Sequence, residues 1–418
     1  MIWWLYNIAV FVAAPVWIPW MVWRTRQRTQ GPVWKERLGD YPFQLAKGPD
    51  RLWIHAVSVG EVMAALPILQ AVRRLQPDLE IVMSVTTSTG HQTATDRAGD
   101  LVTKIVYFPI DLPLFALNAV ARVRPTVVAI METELWMNFL WASKSLNART
   151  MLLNGRISDR SFPRSRRLRF FYRALLDSVD DCLMQSEQDA ERILALGART
   201  AEVVGNCKFD QAAATPSRSM DAWREELGIG EGDRVVVVGS TRSEDEERFV
   251  LDALRGFVGR VRVIYAPRQI ERAVALCEAA RADGWDVGRR SAGDRSPFLV
   301  LDTFGELGEV FGVADIAIIG GGFANHGGQN LLQPLAVGVP VLHGPHMQNF
   351  RDVTREALRV GASREALDAA ALADGLEAWL ANESARQAAG AAGLAMVQAN
   401  VGASEKYAAK IAARLLNE

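Results

Sequence analysis

Short apolar runs, each closed by glycine or small polar residues and followed by an amphipathic segment, recur through most of the chain. They fall at 52–56, 81–85, 127–131, 151–153 and 182–184, and again at 235–238, 261–266, 298–301, 316–319 and 339–342. A run apolar on both faces reads as a strand covered on both sides, so this strand–helix alternation predicts open parallel sheets. Between the two series lies QAAATPSRS, at 211–219, small, polar and proline-bearing, which has the composition of a linker. At 418 residues the chain is long enough for two such α/β domains. The expected boundaries are 24–210, a linker at 211–233, and 234–400.

In open parallel sheets ligands bind outside the carboxyl ends of the strands. Residues just past each apolar run are therefore the site candidates. The densest set lies in ADIAIIGGGFANHGGQNLLQPLAVGVPVLHGPHMQNFR, at 314–351. Gly320, Gly321 and Gly322 follow a strand there, where glycine lets backbone N–H groups approach an anion. Glycines alone fit a phosphate cradle and a set of tight turns equally. Asn330, Gln333, His343, His346 and Asn349 add polar groups able to reach a sugar or base.

The other strand ends contribute in the same way. Ser240 and Thr241 offer hydroxyl and backbone donors, and Arg268 offers a guanidinium suited to phosphate. Phe304, Gly305, Glu306 and Leu307 form a further strand-end loop. In the first series Ser58 and Gly60 lead into Glu61, a carboxylate at a helix start that could act as a general base. From spacing alone, the preference of acids for a helix first turn explains Glu61 better. Glu132 and Glu134 make a second carboxylate pair, and Lys208 can serve an anion or pair with Asp210.

Besides the F-G-E-L loop at 304–307, which resembles a loop that holds the nucleotide base, six tracts carry a family resemblance. They are W-I-H-A-V-S-V-G-E (53–61), M-E-T-E-L-W-M-N (131–138), N-G-R-I-S-D-R-S-F (154–162), G-N-C-K-F-D (205–210), G-G-x-x-x-x-x-G-G-x-N-x-L-x-P and G-x-P-V-L-x-G-P-H-x-x-N-F. Together they resemble the Kdo transferases, GT-B glycosyltransferases that move 3-deoxy-D-manno-octulosonate (Kdo) from CMP-Kdo to a lipid A precursor. The resemblance implies two Rossmann-like domains facing each other across a cleft, with a last helix (401–418) crossing back to the first. It implies Glu61 as catalytic base, with Ser58, Gly60, Glu134, Arg156 and Lys208 on the acceptor side. Ser240, Thr241, Arg268, Phe304, Gly305, Glu306, Leu307, Gly321, Gly322, Asn330 and Gln333 fall on the donor side. Neither a metal nor a cofactor is implied.

Five positions depart from the family pattern. Met137 replaces proline, Arg242 replaces histidine, Gln269-Ile270 replaces His-Pro, and Gln333 replaces glutamate. A neutral amide at 333 both donates and accepts where a carboxylate would only accept. These departures keep two other readings open: a GT-B enzyme or epimerase using a UDP-sugar, and a catalytically silent membrane-bound paralogue that binds lipid A precursor.

Residues 1–23 carry no charged side chain and are followed by Arg24, Arg26, Arg28 and Lys35. That pattern predicts a membrane anchor with the body on the cytoplasmic side, here the bacterial inner membrane. Pro15 and Pro19 leave both a spanning and an interfacial helix open. Arginines interleaved with aromatics at 156–173 suit a surface that meets anionic headgroups. A formal net charge of −1 gives no reason to expect nucleic-acid binding, and the scattered Cys182, Cys207 and Cys277 indicate a reducing compartment.

Overall fold

Buried-strand sequence becomes parallel pairing in two separate sheets. The computed structural model describes residues 2–26, 33–43, 45, 48–213 and 218–416. Arg28 and the linker centre at 214–217 therefore lie outside the described residues. The chain divides into two compact units: Met1–Gln211 with Gly402–Glu418, and Ala212–Val401.

The first unit's strands are β1 (Arg51–His55), β2 (Glu80–Val85), β3 (Lys104–Tyr107), β4 (Val127–Met131), β5 (Arg149–Gly155), β6 (Asp181–Met184) and β7 (Glu202–Val203). They lie in the order β3-β2-β1-β4-β5-β6-β7, every pair parallel. The second unit has β8 (Val235–Thr241), β9 (Arg262–Pro267), β10 (Val287–Arg289), β11 (Phe298–Val300), β12 (Ile316–Ile319), β13 (Val341–His343) and β14 (Ser363–Glu365). Their order is β10-β11-β9-β8-β12-β13-β14, again parallel throughout. Both sheets have a switch point beside their first strand, between β1 and β4 and between β8 and β12, and in the second sheet β11 also inserts between β9 and β10. Such a switch point leaves a crevice beyond the strand ends that no crossover helix fills.

Strand β13 starts at Val341 rather than at 339 because Pro340 has no N–H for the ladder. Its neighbour Val341 is fully buried, as are the central residues of β4, β8 and β12. One core cluster covers each face of the first sheet. The helices that matter for the site are α1 (Ile2–Arg26), α2 (Val59–Leu75), α3 (Met137–Ser145), α4 (Phe162–Arg167), α5 (Arg169–Leu176), α6 (Lys208–Ala212), α7 (Met220–Glu226), α8 (Glu244–Leu254), α9 (Leu332–Ala336) and α10 (Ala403–Leu415). Helix α10 returns to the first unit and packs along α2, burying Tyr407, Ala408, Ile411 and Leu415 in its core. Asp210 fixes the start of α10 by accepting from the Ser404 amide and hydroxyl, both at 2.9 Å.

The spanning form of the expected anchor is not supported. Among the described residues no helix is long and apolar enough to cross a membrane. Helix α1 instead commits its first turns to protein, with Ile2, Trp3 and Tyr6 packed on the core. The Tyr6 hydroxyl donates to Asp111 at 2.8 Å, and Asn7 and Asn138 exchange amide hydrogen bonds at 3.0 and 2.9 Å. The opposite side of α1 stays apolar and open: Phe11, Val12 and Val16 are 77%, 75% and 77% exposed, and Trp4, Leu5 and Ile8 are exposed as well.

Candidate active site

At the first switch point Glu61 stands in the opening turn of α2, which begins at Val59, two residues before the acid. Its carboxylate accepts from the Val57 amide at 2.8 Å and, at 3.4 Å, from the Ser58 hydroxyl. Ser58 is the helix N-cap, yet its side chain caps no backbone amide, and the hydroxyl is turned to the acid instead. Glu61 is only 9% exposed. Burial, reinforced by the charges of Glu132 and Glu134, pushes its pKa up to about 8, against the pull of the Val57 amide. A carboxyl whose proton is held near neutrality is suited to accept one from a hydroxyl and give it up again. Beside it, a Cβ on Gly60 would meet only the Ser58 hydroxyl, at 4.0 Å, so this side of the acid is open.

The loop after β4 brings in the other carboxylates. Glu132 sits at φ +56, a left-handed conformation that non-glycine residues seldom adopt. That turn aims its carboxylate at Lys208 on α6, 2.9 Å away. The alternative partner for Lys208, Asp210, is taken by α10, so Lys208 is a partner of the carboxylate cluster. Glu134 is partly buried, and desolvation followed by the Glu132 charge raises its pKa. Arg156 lies just past β5, half-buried. Glu132 therefore stands close enough to Glu61 for its charge to act on that acid.

The ion pair carries a prediction. Lys208→Met leaves the Glu132 charge uncompensated near Glu61 and raises the base's pKa further. The acid limb of the kcat/KM profile should move to higher pH, with activity lost at pH 7 and recovered in alkali. An unmoved limb would show that Lys208 does not act on Glu61.

The second unit repeats the arrangement with different chemistry. Ser240, at the end of β8, is held at φ +65 where the β8–β9 register shifts. Thr241 is fully buried, and its hydroxyl has no hydrogen-bond partner among the described residues. Arg268 is exposed past β9, and among the described residues its guanidinium has no acidic partner. After β12 a Cβ on Gly320 would sit 2.6 Å from the Thr241 backbone, so the two loops touch. Gly321 turns at φ +75, and its carbonyl accepts from Gly328. The amides of Gly321 and Gly322 donate to no acceptor among the described residues.

The remaining candidates differ in their surroundings. The Asn330 side chain accepts from Leu332 N at 3.0 Å at the start of α9. Gln333 packs its amide beside Gly308, near the Phe304–Leu307 loop. His343 is buried between the Gly344 carbonyl and Ser363, with its pKa lowered by burial, and serves the core. Phe304 is 85% exposed, and Gly305 turns at φ +88. Leu307 opens the next short helix. The Glu306 carboxylate accepts from Arg290.

One residue escaped the sequence reading. Glu246, buried on α8, accepts from Arg242 N at 2.8 Å and from Phe323 N at 3.0 Å, tying the β8 loop to the glycine loop. Its only trace in the sequence is a Ser243-x-x-Glu246 capping pattern.

Residues 33–211 match the family model for 3-deoxy-D-manno-octulosonic-acid transferase (kdotransferase). A 3-deoxy-D-manno-octulosonic acid transferase of Bordetella pertussis is 33% identical over 426 residues, which cover 96% of this chain and 97% of that protein. The chain belongs to the Kdo transferase family. A second member, from Chlamydophila psittaci, is 31% identical over 74% of this chain and 73% of its own. Among solved structures, a glycosyltransferase from Rickettsia africae superposes with a TM-score of 0.60 at 12% identity, covering 89% of this chain and all of that one (100%). The UDP-GlcNAc 2-epimerase of Neisseria meningitidis gives 0.60 at 9% identity over 88% and 100%. These likenesses show the two-domain, Rossmann-like GT-B architecture. The Kdo transferase is thus a glycosyltransferase of lipopolysaccharide biosynthesis.

Proposed function

We propose that this Kdo transferase moves Kdo from CMP-Kdo to a lipid A precursor in one inverting displacement. Glu61 takes the proton from an acceptor hydroxyl as that oxygen attacks the anomeric carbon of Kdo, and CMP departs with the electron pair of the breaking bond. Arg268 and the Gly321 and Gly322 amides offset charge on the leaving phosphate. Each half of this chemistry sits at its own sheet's switch point. The reading rests above all on Glu61, a buried carboxyl with a raised pKa and a Cβ-free, open flank at Gly60. Incubation with a CMP-Kdo generating system and tetraacylated lipid A precursor, read by mass spectrometry, tests it. A lipid heavier by one or more Kdo residues is the expected product, and an unchanged lipid alongside turnover of a UDP-sugar would overturn it.

The same reading places the enzyme on the cytoplasmic face of the inner membrane, held by α1 lying in the interface. Its support is the exposed apolar side of α1, with exposed Leu168 and Phe170 beside the arginines of α4 and α5. Arg169, Arg173 and Arg199 line a recess of about 460 Å³ in which Asp177 is the acidic member. A cationic, apolar-studded surface of this kind suits anionic headgroups.

A further inference from the structure

The loop at 302–307 is gripped at both ends and open in the middle. At one end Ser291 donates to Asp302 through its amide at 2.8 Å and its hydroxyl at 2.6 Å. At the other, Arg290 donates to Glu306 through Nε at 3.2 Å and Nη2 at 3.0 Å, and the Thr303 hydroxyl bonds the same carboxylate. Between the grips stand Phe304, almost wholly exposed, and Gly305. Arg290 is itself only 15% exposed and has a second carboxylate partner, Glu226 on α7. Its guanidinium also lies 5.8 Å from the ring centroid of Trp223 on the same helix.

We propose that Arg290 is a positioning residue for the donor, fixing the 302–307 loop so that Phe304 is held out to the nucleotide. The inference rests on the donor reading given above. A guanidinium can fork to two carboxylates at once, whereas a lysine presents one compact charge. Without it Glu226 and Glu306 face each other as like charges, and the loop loses its outer support. Because Glu306 is spent on Arg290, the loop meets its ligand through backbone and Phe304 rather than through an acid.

The test is titration calorimetry with CMP and with UDP on the wild-type protein, Arg290→Ala, Arg290→Gln and Arg290→Ala/Glu306→Gln, with steady-state kinetics alongside. For either single variant, affinity for the nucleotide that the wild type binds should fall about tenfold, with donor KM rising equally. Acceptor KM and kcat should stay within about twofold. The double variant, which removes the repulsion, should recover part of the loss, and so should low-millimolar guanidinium added to Arg290→Ala. Unchanged affinity in both single variants would overturn the inference alone. So would equal losses in acceptor KM and kcat with a lowered Tm, the mark of a merely structural role. A wild type that binds neither nucleotide would remove the donor reading and this inference with it.

Discussion

Glu61→Gln should reduce Kdo transfer by about a thousandfold, the loss typical for a positioned general base, while leaving both substrates bound. The change also carries a stability signature. The folded pKa of Glu61, about 8, lies above the ordinary carboxylate value. The stability that its neutral form allows is therefore full at acid pH and is lost as pH rises through about 8. Glutamine has no proton to lose there. The variant should melt at a higher temperature than the wild type above pH 8, and the gap should close toward pH 5. At its widest it should correspond to a few kcal/mol, on the order set by the size of the shift. In the wild type the same titration should make kcat/KM climb with pH until about 8. A variant that is inactive but no more stable at high pH would mean that Glu61 ionises without strain, and would sink its assignment as the burdened base.

Phe11→Ser/Val12→Ser should release the protein from vesicles containing anionic phospholipid. Each buried apolar side chain of this size contributes roughly 1.5–3 kcal/mol, so losing two should lower the partition coefficient by at least about a hundredfold. Neither side chain packs on the core, so the Tm should not move. Retention of full vesicle binding in a flotation assay would rule α1 out as the contact. The complementary change, Tyr6→Phe, breaks the bond to Asp111 and should lower the Tm without affecting partition directly.

Much of the architecture was readable in advance because its strands are buried on both faces. Runs such as 235–238 and 316–319 have no polar side to hide, and only a covered parallel sheet accommodates them. The switch points also followed from sequence, since Glu61 and the three glycines stand where strands end. Pairing across long separations did not follow. Nothing near Lys208 announces Glu132, which reaches it only through a left-handed turn at the end of β4. The Glu306 pairing was hidden for the same reason, its partner Arg290 lying on another strand's exit. Thr241 reads like its neighbour Ser240, and the register shift after β8 decides which one faces out. The docking of α1 was signalled faintly, by a tyrosine and an asparagine inside an otherwise apolar run.

Helix α10 gives the first unit a discontinuous makeup. Its side chains complete the packing against α2, the helix that carries Glu61, although some 190 residues of the second unit separate it from the rest of the first. The second unit is contiguous and can close its own core from neighbouring sequence, while the first keeps an apolar seam open along α2 until α10 docks. Substitutions that loosen Tyr407 or Ile411 would thus reach Glu61 through the helix that carries it.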